Sequence, residues 1–367
     1  MSDRPIINIS LTTLLSILGI VLSLVLLWQL RSLLVILMIA VVIAATLAPI
    51  VARAEKLGIP RWLGVILVYL GLIALLVAAG LIIGPTVIVQ SERLIQKLPA
   101  YLEILGNSAE NLVVRFGVRE PTTIEFINQF FDVQAVTSWV FRSSQSLILR
   151  SLLVTRGLLG VAFNLVLALF LSGYMLAGSK TLIKGLVAIF PKPWEQRLAQ
   201  QVPQVSERMG GYIQGRIVVS GILGLVITFG LSFIGIAEFS LALGVIAGFT
   251  NLIPFFGPVL GAIPALIVAV AQGWWTFFWV LLLYIIIQNL ETYLLDPLLV
   301  GSSVKISPLY QLLAVLGGVQ VLGIIGALIV PPWVAGGNVL LENLYLEPKR
   351  HGEEIDKLEL EEAVPKM

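Results

Sequence analysis

The sequence predicts an all-α, polytopic helical membrane protein of about eight membrane segments, two of them broken, with an extramembrane amphipathic helical insert. Three observations predict it. Hydrophobic residues make up 58% of the 367 and charged residues 12%, with a mean hydropathy of +1.00, whereas soluble domains are roughly one quarter charged. Apolar runs recur at about 20 residues, the length that spans a hydrocarbon core, without the strict alternation of a barrel. Lastly, Phe239–Val334 is almost wholly apolar yet punctuated by Pro, Gly and isolated polar residues. Broken helices survive in a bilayer only where protein or a wet cavity satisfies the freed backbone groups, and polar side chains at that depth mark substrate or ion paths.

The first span is Leu11–Leu30. Its apolar run exceeds a signal-peptide core, no small-x-small cleavage site follows and a second run begins at once, so it reads as a retained span. Gln29, Arg31 and Ser32 turn the chain into the second span, Leu33–Val51, which Pro49, Arg53, Glu55 and Lys56 close. Pro60 and Arg61 open the third, Trp62–Val89, in which Gly80 and Gly84 fit close helix packing. Charge then returns: 90–150 holds six basic and six acidic residues. Ile95, Leu98, Leu102, Leu105, Ala109, Leu112 and Phe116 form a heptad stripe. That amphipathic helix either packs on its own domain or a neighbouring subunit, or caps a transport path. Gly117–Thr123 ends it, and Ile124–Val140 reads as a second, aromatic-rich helix.

Leu152–Ala177 is the fourth span. Ser179–Arg216 is basic, and Trp194, Leu198, Val202, Val205, Met209 and Tyr212 recur at helical spacing, the pattern of a helix lying on the membrane surface. Ile217–Ile236 is the fifth span, followed by the broken segment Phe239–Ala271, the span Trp274–Leu295, the broken segment Leu309–Pro332 and a short piece, Trp333–Leu346. The divisions are therefore 1–89 (three spans), 90–150 (extracytoplasmic helical region), 151–346 (transport region) and 347–367 (charged cytoplasmic tail).

Basic residues gather in cytoplasmic loops, which places Arg53–Arg61, Lys180–Arg216 and both termini inside and 90–150 outside. An internal echo accompanies this topology. At an offset of 69, Gly248 falls on Gly317, Asn251 on Gln320, Pro254 on Gly323 and Gly257 on Gly326. Repeats of one span plus one broken segment are a transporter device, with binding where the interrupted helices meet. Two architectures fit. Each broken segment crosses the membrane, or each is a re-entrant hairpin in inverted orientation. The half-segments of about 12 residues span roughly 18 Å at 1.5 Å per residue, which permits a hairpin. Lys305, in the Ser302–Ser307 loop, leans that loop towards the inside.

The candidate solute or ion path consists of Thr250, Asn251, Pro254, Gly257, Pro258, Gln288, Glu291, Asp296 and Gln320. Gln288 and Glu291 share a helix face, with Thr292 and Asp296 on an adjoining one. Pro297 ends that helix on this reading, so Asp296 meets water. An ionised carboxylate near a helix centre costs on the order of 3 kcal/mol, a cost that falls if it faces a wet cavity, holds a cation or takes a proton; a structural interhelical hydrogen bond is the other reading of Glu291. Thr250, Asn251 and the carbonyls freed by Pro254 form a polar pocket or a simple turn cap. Gly261, Pro264, Pro297, Gly317, Gly323 and Gly326 are the candidate helix breaks.

Several classes are excluded. Cysteine is absent and the one histidine, His351, lies in the tail, so thiolate and histidine-pair metal sites are excluded, and no metal or other cofactor is expected. No G-x-x-x-x-G-K-[ST] run binds a nucleotide. No histidine lies in a span to serve a serine nucleophile, and Asp296 is the one aspartate near the membrane region, so an intramembrane protease is not expected and the chain reads as a non-enzyme. A net charge of +2 points to no nucleic-acid partner.

The runs NLIPFFGPVLGAIPAL, QNLETYLLDPLLVGSSVKISPL and GGVQVLGIIGALIVPP resemble the autoinducer-2 exporter family of bacterial membrane proteins. Pro254, Gly257, Pro258, Gly261, Pro264, Glu291, Pro297, Gly301, Pro308, Gly317, Gly326 and Pro331 carry the resemblance in order, and the span layout with its large insert agrees. The resemblance implies a multi-pass, oligomeric transporter of the bacterial inner membrane, some members being linked to export of the quorum-sensing molecule and others to cation/proton exchange. The expected partners are the lipid bilayer, a small polar solute or a cation, and further copies of the chain. Three functions compete: an exporter of a small polar solute, a sodium or lithium/proton antiporter, and a non-transporting oligomeric scaffold or channel.

Overall fold

The computed structural model describes residues 11–115, 151–301 and 307–350. The expected helix Ile124–Val140, Phe116, Lys305 and the tail from His351 lie outside them. Every described element is helical: α1 (Leu11–Gln29), α2 (Arg31–Lys56), α3 (Arg61–Arg115), α4 (Ser151–Ala177), α5 (Ser179–Val187), α6 (Lys192–Ile234), α7 (Ser240–Thr250), α8 (Phe256–Gln272), α9 (Trp274–Leu290) with a π-wound continuation (Glu291–Gly301), α10 (Pro308–Leu322), and α11 (Ile324–Leu341) with a shorter π-wound end (Glu342–Leu346).

Among the described residues five helices are long and apolar enough to cross a membrane, six if the bent pair α4–α5 counts as one span. α7, α8 and α10, with 11, 17 and 15 residues, are too short to count as spans by themselves. Two expected boundaries also vanish. α3 runs on from the third span into the amphipathic stretch as one 55-residue helix, through Pro85 and Pro99. α6 joins the expected surface helix to the fifth span as one 43-residue helix, about 65 Å long. The stripe Trp194–Tyr212 therefore does not lie along the bilayer surface. Its inner part packs on other helices: Met209 is buried among Val42, Ala45 and Ile329, and the Gln214 side chain donates to the Thr46 carbonyl.

Both broken segments are helical hairpins, and proximities along α6 give their directions. From the end of α6 the chain returns alongside it. Ser232 Oγ donates to Ser240 Oγ, Gly244 lies against Gly224 and Thr228, and Gly248 against Ser220. After the tip at Asn251–Phe255, α8 folds back on α7, with Gly257 against the Thr250 carbonyl and Gly261 against Ala247. α9 then descends beside α6, placing Leu283 at Gly230 and Leu299 at Gly215.

The second hairpin enters from the other end. Gln311 reaches Tyr212 Oη, Gly318 packs against Gly326 on either side of the Gly323 tip, and α11 runs back past Met209 at Gly336 to Asn343, which donates to Gln201 and Gln204. The first tip thus lies at the middle of α6, while the arms of the second hairpin run alongside α6 from its other end. Element starts and ends repeat across the two units: Ser240 and Pro308 are 68 apart, Phe256 and Ile324 are 68 apart, and Gln272 and Leu341 are 69 apart. The echo at 69 in the sequence thus corresponds to two copies of one hairpin in inverted orientation.

Candidate functional site

Arg216 lies at the middle of α6, buried with 3% of its side chain exposed. Its Nη1 donates to Glu291 Oε1 at 2.9 Å and to Asp296 Oδ1 at 3.3 Å, and Nη2 donates to Asn251 Oδ1 at 3.5 Å. Asn251 closes the triangle, its Nδ2 donating to Glu291 Oε1 at 3.1 Å. Three elements meet through side chains: α6, the first hairpin tip and the start of the π-wound segment. A buried ion pair is tolerated best when hydrogen bonds satisfy its remaining groups; Asn251 supplies one to each partner, while Arg216 Nε finds none among the described residues.

The π winding decides which carboxylates share the guanidinium. In an α-helix residues i and i+5 diverge around the axis. A π-helix bonds i to i+5, and this brings Glu291 and Asp296 to one side. Spacing in the sequence put Asp296 on an adjoining face and ended the helix at Pro297; instead Pro297 sits inside the widened segment. Asp296 remains open to the cavity, with 39% of its side chain exposed. One guanidinium against two carboxylates leaves, with both ionised, a formal net charge of −1.

Beside this cluster lies a cavity of about 440 Å³, lined by Tyr212, Arg216, Gln288, Glu291, Thr292 and Asp296, with Pro254, Phe255 and Pro258 from the first hairpin and Pro308, Gln311 and Pro331 from the second. A second cavity of about 20 Å³ lies further along α6, against Leu223, Ile227, Ala247 and Tyr284. Asn251, Pro258, Gln288 and Glu291 also line it. Pro258, Gln288 and Glu291 thus border both spaces, and Asn251, bonded to Glu291, borders the smaller one.

The first hairpin tip is strained. Phe255 has φ 65° and is the one non-glycine residue at positive φ among those described. The Phe256 N–H donates to the Pro254 carbonyl at 2.8 Å, a γ-turn of the rare positive-φ kind, worth on the order of 1–3 kcal/mol of strain. Such strain persists where surrounding contacts hold it, and here Pro254 is buried beside the polar triangle.

The other candidate residues distribute as follows. Asn251, Pro254, Pro258, Gln288, Glu291 and Asp296 line one or both cavities. Thr250 turns back to the Ala247 carbonyl and packs against Gly261. Gly257 seats the hairpin arms against each other. Gln320 is exposed and lines neither cavity. Of the candidate breaks, Gly323 occupies a tip at φ 65°; Gly261 and Pro264 lie inside α8, Gly317 inside α10 and Gly326 inside α11. Gly80 and Gly84 sit on an exposed stretch of α3, where a methyl group added at either would meet no described atom within 4 Å.

Sequence reasoning missed Arg216, counted there as a loop charge. The signal was present: Met209, Tyr212, Arg216, Val219 and Leu223 continue one helical stripe, and an arginine in an apolar stripe requires a buried partner.

The model of the AI-2E transporter family matches residues 15–346. The chain belongs to that family. YueF of Bacillus subtilis, which bears the name of a transport protein, is 27% identical over 288 residues, 77% of this chain and 76% of its own length. PerM of Escherichia coli K12, named as a permease, is 27% identical over 284 residues, covering 76% and 78%. YrrI of Bacillus subtilis, again named for transport, is 34% identical over 172 residues, about half of each chain at 47% and 48%. This AI-2E family member is accordingly a membrane transporter.

Proposed function

We propose that the transporter moves a small polar solute out of a bacterial cell through the cavity between the first hairpin tip and the arms of the second hairpin, as an exporter of the autoinducer-2 type. One observation carries this reading: a cavity of about 440 Å³, within the size range of small-molecule sites, shares Pro258, Gln288 and Glu291 with a smaller space further along α6. Tyr212, Gln288, Thr292, Gln311 and Asp296 offer donors and acceptors along the wall, which suits an oxygen-rich solute. The Asn251–Glu291–Arg216 triangle is then the gate, and movement of the α7–α8 tip joins the two spaces. Inner-membrane location with both termini in the cytoplasm accompanies the reading, since Arg53, Lys56, Lys180 and Lys192 gather at one end of the helices.

Purified protein in vesicles, loaded with labelled polyols and small sugars, tests the proposal. Flux that is lost in Asn251→Ala, with the fold intact, supports it; flux unchanged in that variant overturns it. A second reading, exchange of sodium or lithium for protons, is favoured by the two carboxylates facing one guanidinium. Collapse of an imposed pH gradient on adding sodium or lithium, with no solute flux, selects it.

A further inference from the structure

The end of the molecule that holds the basic loops also holds a helix that does not run with the spans. The apolar helix α4 ends at Ala177, and α5 leaves it at 84°. A segment at right angles to a span runs along the bilayer plane. α5 gives one edge to the protein, where Val187 is buried and Ile183 half-buried. On the adjoining sector Leu182, Leu186 and Ile189 are 41%, 64% and 77% exposed, with no described residue over them. Phe190 and Trp194 continue this apolar surface. Lys180 and Lys184 occupy the other side of α5, and Lys192 and Arg197 follow, Arg197 lying 6.0 Å from the Trp194 ring centre.

The same end is tied together by Arg61, which donates to the Leu176 carbonyl, the Ser179 hydroxyl and Glu55. This brings Arg53 and Lys56 of α2 to the level of α5. Glu55 and Glu195 are the acidic residues near them in sequence. At the opposite end the base of the first hairpin carries a balanced pair, Lys97 with Glu238 at 2.8 Å. Among the described residues, an excess of cations thus coincides with exposed apolar side chains at the α5 end.

We propose that α5, the Ala188–Pro191 turn and the first residues of α6 up to Arg197 form an interfacial platform seated on the anionic phospholipid of the adjoining leaflet. Leu182, Leu186 and Ile189 enter the boundary between headgroups and acyl chains, the placement amphipathic helices adopt. Lys184, Lys192 and Arg197 hold the phosphates. The surface helix expected over Trp194–Tyr212 is thereby replaced by α5.

The absence of cysteine makes single-cysteine spin labelling of the full chain direct. In vesicles of phosphatidylcholine and phosphatidylglycerol, labels at Leu186→Cys and Ile189→Cys should meet oxygen more than a water-soluble nickel chelate, and labels at Thr181→Cys and Ala188→Cys the reverse. Equal access of the nickel chelate to both faces overturns the seating. Shielding of the Leu186→Cys label from both reagents marks a protein neighbour and overturns it equally. For the charge component, the variant K184Q/K192Q/R197Q is compared with the parent for enrichment of spin-labelled phosphatidylglycerol over spin-labelled phosphatidylcholine at the protein. Enrichment should fall by about fivefold per charge removed; an unchanged ratio overturns the assignment to anionic lipid. These readouts report lipid contact, so they stand apart from the outcome of any solute-flux assay.

Discussion

The two hairpins share a shape and differ at their tips. The first presents a buried asparagine that bonds to both members of an ion pair, next to a strained γ-turn at Phe255. The second turns on Gly323 alone, and the tip's nearest polar side chain in sequence, Gln320, is exposed. Gly257 against Thr250 in the first and Gly318 against Gly326 in the second show the same need for backbone contact between the arms. Small residues and a turn are therefore what the hairpin fold requires, whereas charge recognition is an addition made at one copy only.

The largest effect tests the ion pair against the fold. Arg216→Met leaves Glu291 buried without its cation, and removing one member of a buried pair costs about 3–5 kcal/mol. Thermal unfolding in detergent should show a large drop. The double variant Arg216→Met/Glu291→Gln should regain much of that stability without regaining flux. If the double variant is no more stable than the single, the pair is not a coupled unit.

Next comes the shared architecture. Gly257→Val and Gly318→Val each drive a side chain into opposing backbone, and both should destabilise by about 1–3 kcal/mol. Denaturation midpoints that fall for one hairpin alone would break the equivalence of the two copies. The chemical difference is tested by Asn251→Ala beside Gln320→Ala. Transport assays should show a loss of tenfold or more for the first, on the order of 1.4 kcal/mol or more, and none for the second; similar losses would make the tips functionally alike. The turns come last. Phe255→Gly removes the positive-φ penalty, Gly323→Ala puts a side chain at φ 65°, ψ −152°, a region essentially confined to glycine, at about 1–3 kcal/mol, and their midpoints should move in opposite directions.

Much of this was legible in the sequence, because lipid enforces simple rules. Apolar runs had to be helices, and Pro254 and Gly323 stood where the helices fold back. The repeat offset survived in Gly248, Gly257 and Gly326, where close backbone approach tolerates no larger side chain; Gly317, the counterpart of Gly248, faces open space and its neighbour Gly318 makes the contact instead. Glu291 and Asn251 were conspicuous as polar residues in apolar runs. What stayed hidden depended on tertiary contact. Arg216 looked like a loop charge because it adjoins a basic segment and precedes an apolar one, and nothing local tells a collinear 43-residue helix from two helices. The union of Glu291 and Asp296 was hidden by π winding, since α-helical spacing sets them on different faces. The length of α3 was hidden likewise: its change from apolar to amphipathic at Gln90 marks an environment, not a helix end.

The gate is tested most directly by solute flux through reconstituted Glu291→Gln protein, paired with its thermal midpoint and its elution as a folded species. A folded protein whose flux falls at least tenfold is expected, because the gate has lost the carboxylate charge that pairs with Arg216, although the amide keeps one acceptor oxygen. A folded Glu291→Gln protein with parental flux would contradict a gate at this triangle.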